Sequence, residues 1–205
     1  MLLIDKPIGP SSFNVVATVK QVLGIERVGH AGTLDPLATG LLIVLVGREE
    51  TKQQDYFMKL DKEYIVTIEL GKLSTTDDRE GEITSTTLQM PNLKQFIGEI
   101  KQTPPAYSAI HVQGERAYRL ARQGKPVTIA PRSVTIYSIE LLDYEKPFIT
   151  LKVNCSHGTY IRSLARAMGG YVIALRRTRI GDYDVSTAIS LDQIAISQNQ
   201  PLKRE

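Results

Sequence analysis

The sequence predicts an α+β fold. Two features of its pattern carry that expectation: strand-like segments follow one another directly, and helix-like segments fall between them at irregular intervals rather than in βαβ alternation. No internal repeat, low-complexity tract or clear linker divides the 205 residues. That length is enough for one large domain, or a domain with a small appendage, and for a sizeable core.

Residues 2–4 read as a short strand, ended by the turn-rich Lys6-Pro7-Ile8-Gly9-Pro10. Ser11 or Ser12 can cap a helix that carries Val15, Val16, Val19, Val22 and Leu23 at helical spacing, with Gly24 as its stop. Residues 28–40 read as a loop and residues 41–46 as an apolar strand. Residues 48–60 look like one helix. Residues 63–70 alternate, placing Tyr64, Val66, Ile68 and Leu70 on one face of a strand. Residues 74–81 form an acidic loop, and a helix is expected near residues 92–99, ahead of Pro104-Pro105, which no helix would tolerate. Residues 115–123 look like a basic helix closed by Gly124. Strands over 133–144 and 148–154 flank a turn at Glu145-Lys146-Pro147. A helix over 159–168, a strand over 171–175 and a short helix over 191–197 complete the pattern.

Composition narrows the function classes. The longest apolar run, residues 41–46, is too short to span a bilayer. The N-terminus lacks the apolar core and cleavage site of a signal peptide. One cysteine, Cys155, excludes an internal disulfide framework and a Cys-rich zinc site. Together these lead us to expect a cytoplasmic protein. Twenty-five Lys+Arg against 22 Asp+Glu is only mildly basic, but the cations are grouped. Arg116, Arg119, Arg122 and Lys125 form one cluster, and Arg176, Arg177 and Arg179 another. Grouped cations suit phosphates, although they also suit a solvated helix face.

The densest signal is the run from Gly29 to Gly40, GHAGTLDPLATG. Three glycines and a proline in twelve residues specify an irregular, tightly turned backbone. Asp35 stands in it between the apolar Leu34 and Pro36. A carboxylate on a loop held by a rigid scaffold suits catalysis. An Asp-Pro pair also suits a plain turn.

This run resembles the catalytic motif of the TruB family of pseudouridine synthases, with Asp35 as its aspartate and His30 as its histidine. The resemblance extends over nearly the whole chain. Asp5-Lys6-Pro7 with Gly9 and Ser11-Ser12 is similar to the family's N-terminal motif, and Lys62-Glu63-Tyr64 to the segment that carries an active-site tyrosine. Pro104 to Ala109 and Ala121 to Gly124 resemble an RNA-gripping insertion. Cys155 to Arg162 and Leu175-Arg176-Arg177 resemble the later motifs.

The resemblance implies a pseudouridine synthase fold: a mixed, largely antiparallel central sheet flanked by helices and loops. It implies a catalytic domain over residues 1–181, with the insertion at roughly 101–130. Residues 182–205 would then be a short extension, too small for a full C-terminal RNA-binding domain. It also implies isomerisation of uridine 55 in the T loop of tRNA by base flipping, without cofactor or metal, by a monomer that needs no protein partner and no membrane. Asp35 would be the essential carboxylate and Arg162 its ion-pair partner. Tyr64 would stack on the target base, Lys6 would lie near the active site, and His30 would occupy the space the base vacates. Tyr160 and Leu175 would line the uracil pocket, Asp78 would contact RNA around the flipped nucleotides, and Arg119 and Arg122 would hold phosphates.

Two local departures stand out. Thr75 replaces an aspartate common in the family, and the segment between Met168 and Tyr171 is shorter than usual. Readings from other classes are weaker. Cys155 and His157 lack a third member for a hydrolase, and His30, His111 and His157 lack metal-ligand spacing. The serious alternative is a tRNA-binding folding chaperone whose isomerase activity is secondary.

Overall fold

The computed structural model describes residues 1–112 and 114–198. In chain order the first elements are β1 (Leu2–Lys6), α1 (Ser12–Leu23), β2 (Val28–Ala31), β3 (Ala38–Val46), α2 (Gly47–Thr51), α3 (Gln54–Lys59), β4 (Lys62–Leu70), β5 (Lys72–Ser74) and β6 (Ile83–Ser85). Next come β7 (Gly98–Gln102), β8 (His111–Val112), β9 (Glu115–Arg116), α4 (Ala117–Arg122), β10 (Arg132–Glu145) and β11 (Phe148–Cys155). The last are α5 (Ile161–Ala167), β12 (Gly170–Ile180), β13 (Tyr183–Asp184) and α6 (Leu191–Gln198). The pairing is mixed and mostly antiparallel, so the α+β expectation holds. Two compact units emerge: residues 1–65 with those from 175 onward, and residues 66–174.

The first unit is organised by β3. It pairs antiparallel with β1 and β2 and parallel with β12, where Leu175, Arg176 and Arg177 lie opposite Ala38, Thr39 and Gly40. Residues Leu41 to Leu45 are all fully buried, because both faces of β3 are covered. Leu42 and Val44 pack with Ile4, Val15, Val19 and Ile194; Leu41, Ile43 and Leu45 pack with Ala31, Phe57 and Ile180. An uninterrupted apolar run is what a doubly covered strand requires. Truncating any one of its leucines to alanine should cost about 2–5 kcal/mol.

Helix α1 forms as the sequence predicts. Ser11 caps it, accepting from the Asn14 amide in a reciprocal capping box, and Gly24 closes it with a left-handed backbone. Residues 48–60 do not form one helix. The Thr51 hydroxyl donates back to the Gly47 carbonyl at 2.9 Å and accepts from Arg27 Nε, and the chain restarts as α3 from Gln54. The expected loop over residues 28–40 is also shorter, since β2 and the first residues of β3 take its two ends.

In the second unit the later part of β4 lies beside β11, which pairs with β10, which pairs with β7. Ile149, Leu151, Val153 and Cys155 are fully buried at alternate positions of β11, as an amphipathic strand requires. The expected helix near residues 92–99 shrinks to a 3-10 turn at Leu93–Phe96. Residues 98–102 instead pair with β10, a tertiary demand that overrides local preference. The short link after α5 works because it is Gly169-Gly170: a Cβ at Gly170 would sit 2.5 Å from the Glu69 carbonyl oxygen. Among the described residues no helix is long and apolar enough to cross a membrane.

Candidate active site

Asp35 lies half-buried in the connection between β2 and β3, residues 32–37. Its own carbonyl accepts from the Ala38 amide at 3.0 Å, closing a tight turn. The backbone around it is held at alternate residues by three different side chains. The Gly32 carbonyl accepts from Arg177 Nη2 at 3.2 Å. Leu34 is bonded twice by the Ser12 hydroxyl, which accepts from its amide at 2.8 Å and donates to its carbonyl at 3.0 Å. The Pro36 carbonyl accepts from the Gly9 amide at 2.9 Å and from Lys6 Nζ at 3.5 Å. A carboxylate on so short a loop is therefore presented by fixed backbone.

Two buried cations border this loop. Lys6 is fully buried, and its ammonium also donates to the carbonyls of Pro7 (2.8 Å) and Pro10 (2.9 Å). Burial pushes Lys6 down to about 8; the Asp35 charge opposes that shift and the Arg177 charge adds to it. Arg177 is 1% exposed. His30 sits in β2, its backbone paired with Val44 and its carbonyl accepting from Gln54 Nε2 at 2.9 Å. Burial, then the Arg177 charge, hold His30 below its ordinary value, against the opposing Gly32 backbone contact. Its Nδ1 is buried and makes no hydrogen bond. The same unit holds Tyr64, 9% exposed on β4, and Leu175, 8% exposed on β12.

The other predicted residues fall in the second unit. Arg162, buried in α5, donates through Nη1 to the Thr76 carbonyl (3.0 Å) and the Asp78 carboxylate (3.4 Å), and through Nη2 to the Tyr107 carbonyl (2.8 Å). Asp78 is 4% exposed and also accepts from the Thr76 hydroxyl (2.6 Å) and the Glu80 amide (3.0 Å). Beside it Asp77 adopts a left-handed backbone (φ 62) and bonds Arg166. Burial raises the Asp77 carboxyl, with the Arg166 charge opposing. Tyr160 caps α5, and Gln102 brackets its backbone through an accepted and a donated bond of 2.7 and 3.0 Å. The Arg132 guanidinium lies 4.9 Å from the centre of its ring. Arg119 and Arg122 are exposed on α4, with Arg122 resting 5.8 Å over the Tyr118 ring.

The structure thus gathers Lys6, His30, Asp35, Tyr64 and Leu175 in one unit, and Asp78, Arg119, Arg122, Tyr160 and Arg162 in the other. Sequence reasoning missed the parts of Ser12 and Arg177. Arg177 stands two residues from Leu175 on β12, hence on the same face, and an inward-phased cation in an apolar strand is the signal that could have found it.

Comparisons with known proteins agree with the motifs. A family described as "TruB family pseudouridylate synthase (N terminal domain)" matches residues 20–161. A protein of Ehrlichia ruminantium (strain Gardel) named tRNA pseudouridine synthase B is 42% identical over 211 residues, covering 96% of this chain and 71% of its own. Its namesake in Anaplasma marginale (strain St. Maries) is 45% identical over 208 residues, covering 94% and 67%. Among solved structures, a chain of the Cbf5-Nop10-Gar1 complex superposes with a TM-score of 0.70 at 28% identity, covering 98% of this chain and 59% of that one. A chain of the archaeal box H/ACA sRNP Nop10-Cbf5 complex gives 0.67 at 27% identity, covering 96% and 53%. The chain therefore spans little more than half the length of those solved chains.

Proposed function

The chain belongs to the TruB family of pseudouridylate synthases, and from that premise we propose that it isomerises uridine 55 in the T loop of tRNA to pseudouridine, with Asp35 as the essential carboxylate. In this reaction the N1–C1′ bond breaks, the freed uracil rotates, and a C5–C1′ bond forms. The C5 proton leaves to solvent and N1 regains one, so the base keeps its formula and no electrons are exchanged. A carboxylate near the sugar serves this either by attacking C1′ or by taking a ribose proton. Both need it ionised and fixed. The observation that carries the reading is the loop itself: its backbone is pinned at residues 32, 34 and 36, two of the three pinning groups are buried cations, and Asp35 lies among them.

The uridine must leave its stack to reach Asp35, at a cost of a few kcal/mol. In this proposal His30 fills the vacated space as an uncharged ring and Tyr64 stacks on the extruded base; the family resemblance assigns Tyr160 and Leu175 to uracil recognition. The family resemblance implies that Arg162 serves Asp35 and that Asp78 contacts RNA around the flipped nucleotides; within its own unit Arg162 bonds Asp78. Arg119 and Arg122, exposed on α4, contribute phosphate contacts that give affinity without reading sequence. The protein acts on tRNA without a cofactor and as a monomer.

The test is release of tritium from C5-labelled uridine in unmodified tRNA by the purified chain alone. Wild type should release one equivalent per tRNA. Asp35→Asn should release none while binding tRNA as before. Normal turnover by Asp35→Asn would end the assignment.

A further inference from the structure

Arg177 heads the large side chains that are fully buried. A guanidinium out of water is costly unless its donors are met, and an aliphatic residue could fill the same volume without that cost. Its contacts show where the donors go. Nε donates to the Leu41 carbonyl at 2.8 Å and Nη2 to the Gly32 carbonyl at 3.2 Å. Those two carbonyls lie on opposite sides of Asp35 in the chain, one just after β2 and one in β3.

The backbone reinforces the arrangement. Arg177 lies directly opposite Gly40 in the parallel register of β12 and β3. Gly40 has φ +101, and a Cβ there would stand 2.2 Å from the Arg177 carbonyl oxygen. Arg177 is thus fixed against the β3 side of the loop by its main chain, and its side chain crosses beneath to the β2 side. Lys6 does a different job: a point donor, it ties the Pro7 and Pro10 carbonyls of the turn after β1 to the Pro36 carbonyl of the loop. A planar fork presents its donors at a fixed separation and angle; a compact ammonium does not reproduce that geometry.

We infer that Arg177 is a positioning residue for the reaction proposed above, its fork clamping the two limbs of the Asp35 loop so that the carboxylate is presented at one fixed place. This rests on the reading that Asp35 performs the chemistry. A clamp of this kind acts on the rate of the chemical step and not on the grip on tRNA. Displacement of a reacting group by about 1 Å costs on the order of 100-fold in rate.

The experiment compares wild type, Arg177→Lys, Arg177→Gln and Asp35→Asn in the full chain, by single-turnover tritium release and by equilibrium binding of tRNA. Arg177→Lys keeps the charge and loses the fork. It should fall about 100-fold in single-turnover rate, while its tRNA dissociation constant stays within about threefold of wild type. Hydrogen exchange at the Leu34 and Ala38 amides should quicken, with the rest of β3 unchanged. Arg177→Gln, smaller and uncharged, serves should the lysine variant not fold, and should be slowed as strongly. Rescue by lysine to near the wild-type rate would overturn the inference. So would a loss confined to tRNA affinity at an undiminished maximal rate. Turnover by Asp35→Asn would instead sink the proposed function, whatever Arg177 does.

Discussion

The β2–β3 connection, residues 32–37, and the β5–β6 connection, residues 75–82, are both short links between antiparallel strands with acidic residues in them. They use their neighbouring cations differently. In the second, the carboxylates are buried and bonded directly by arginines, Asp77 by Arg166 and Asp78 by Arg162, each aspartate being 4% exposed. In the first, Lys6 and Arg177 bond the backbone, and Asp35 is half-buried. The difference teaches what an acidic loop is for. Carboxylates committed to guanidiniums organise structure, most of all in the Asp78–Arg162 pair, where both partners are buried and separating them strands a charge away from water. Cations committed to carbonyls fix the backbone that presents a carboxylate, as Lys6 and Arg177 do at residues 36 and 32.

Substitutions that exchange the two kinds of loop test this contrast. The largest effect belongs to Asp35→Asn: turnover should disappear in the tritium-release assay, while stability by urea unfolding changes by less than about 1 kcal/mol. A large stability loss would mean that Asp35 is structural in the manner of Asp78. Next is Gly40→Ala. The positive φ and the contact with the Arg177 carbonyl should cost about 4 kcal/mol in the same unfolding experiment. A tolerated alanine would show that the two strands can part without consequence.

Asp78→Ala should destabilise by about 3 kcal/mol, because Arg162 loses a carboxylate in a setting where both side chains are 5% exposed. If the cost is below about 1 kcal/mol, the contrast between the loops fails at its structural end. The smallest effect is a pH dependence. Lys6 is held at about 8 against an ordinary 10.5, so between those values the unfolded chain binds more proton than the folded one. Stability from this group therefore rises as pH climbs through that window. Lys6→Met should flatten that rise in urea midpoints measured from pH 8 to 10. An unchanged slope would mean that Lys6 is hydrated and not part of a dry clamp.

Much of the fold was legible along the chain. Ser11, Asn14 and Gly24 are local capping signals, and Val15, Val16 and Val19 repeat at helical spacing, so α1 could be read directly. Tyr64, Val66, Ile68 and Leu70 alternate, and β4 buries all four. Two of the misreadings share a cause. Residues 98–102 became a strand because β10 offered them a partner, and residues 28–31 became one because β3 did. Pairing energy comes from distant residues, and no local window contains it.

The candidate site divides along the same line. Asp35 and His30 were legible because glycine, proline and a lone carboxylate in one short run constrain backbone and chemistry together. Ser12 and Arg177 were not, because each acts on the loop from 22 and 145 residues away, through hydrogen bonds to Leu34 and Gly32.

By itself the sequence determined the class of fold, the run of residues that carries the acid, and the family, since each of these is written in short-range order. Only the tertiary structure decided which charges go to backbone and which to carboxylates, and that Arg177, one arginine in a group of three, lies buried under the Asp35 loop. The physical reason is that a charge's role follows from its distance to water and to other charges, and folding sets both.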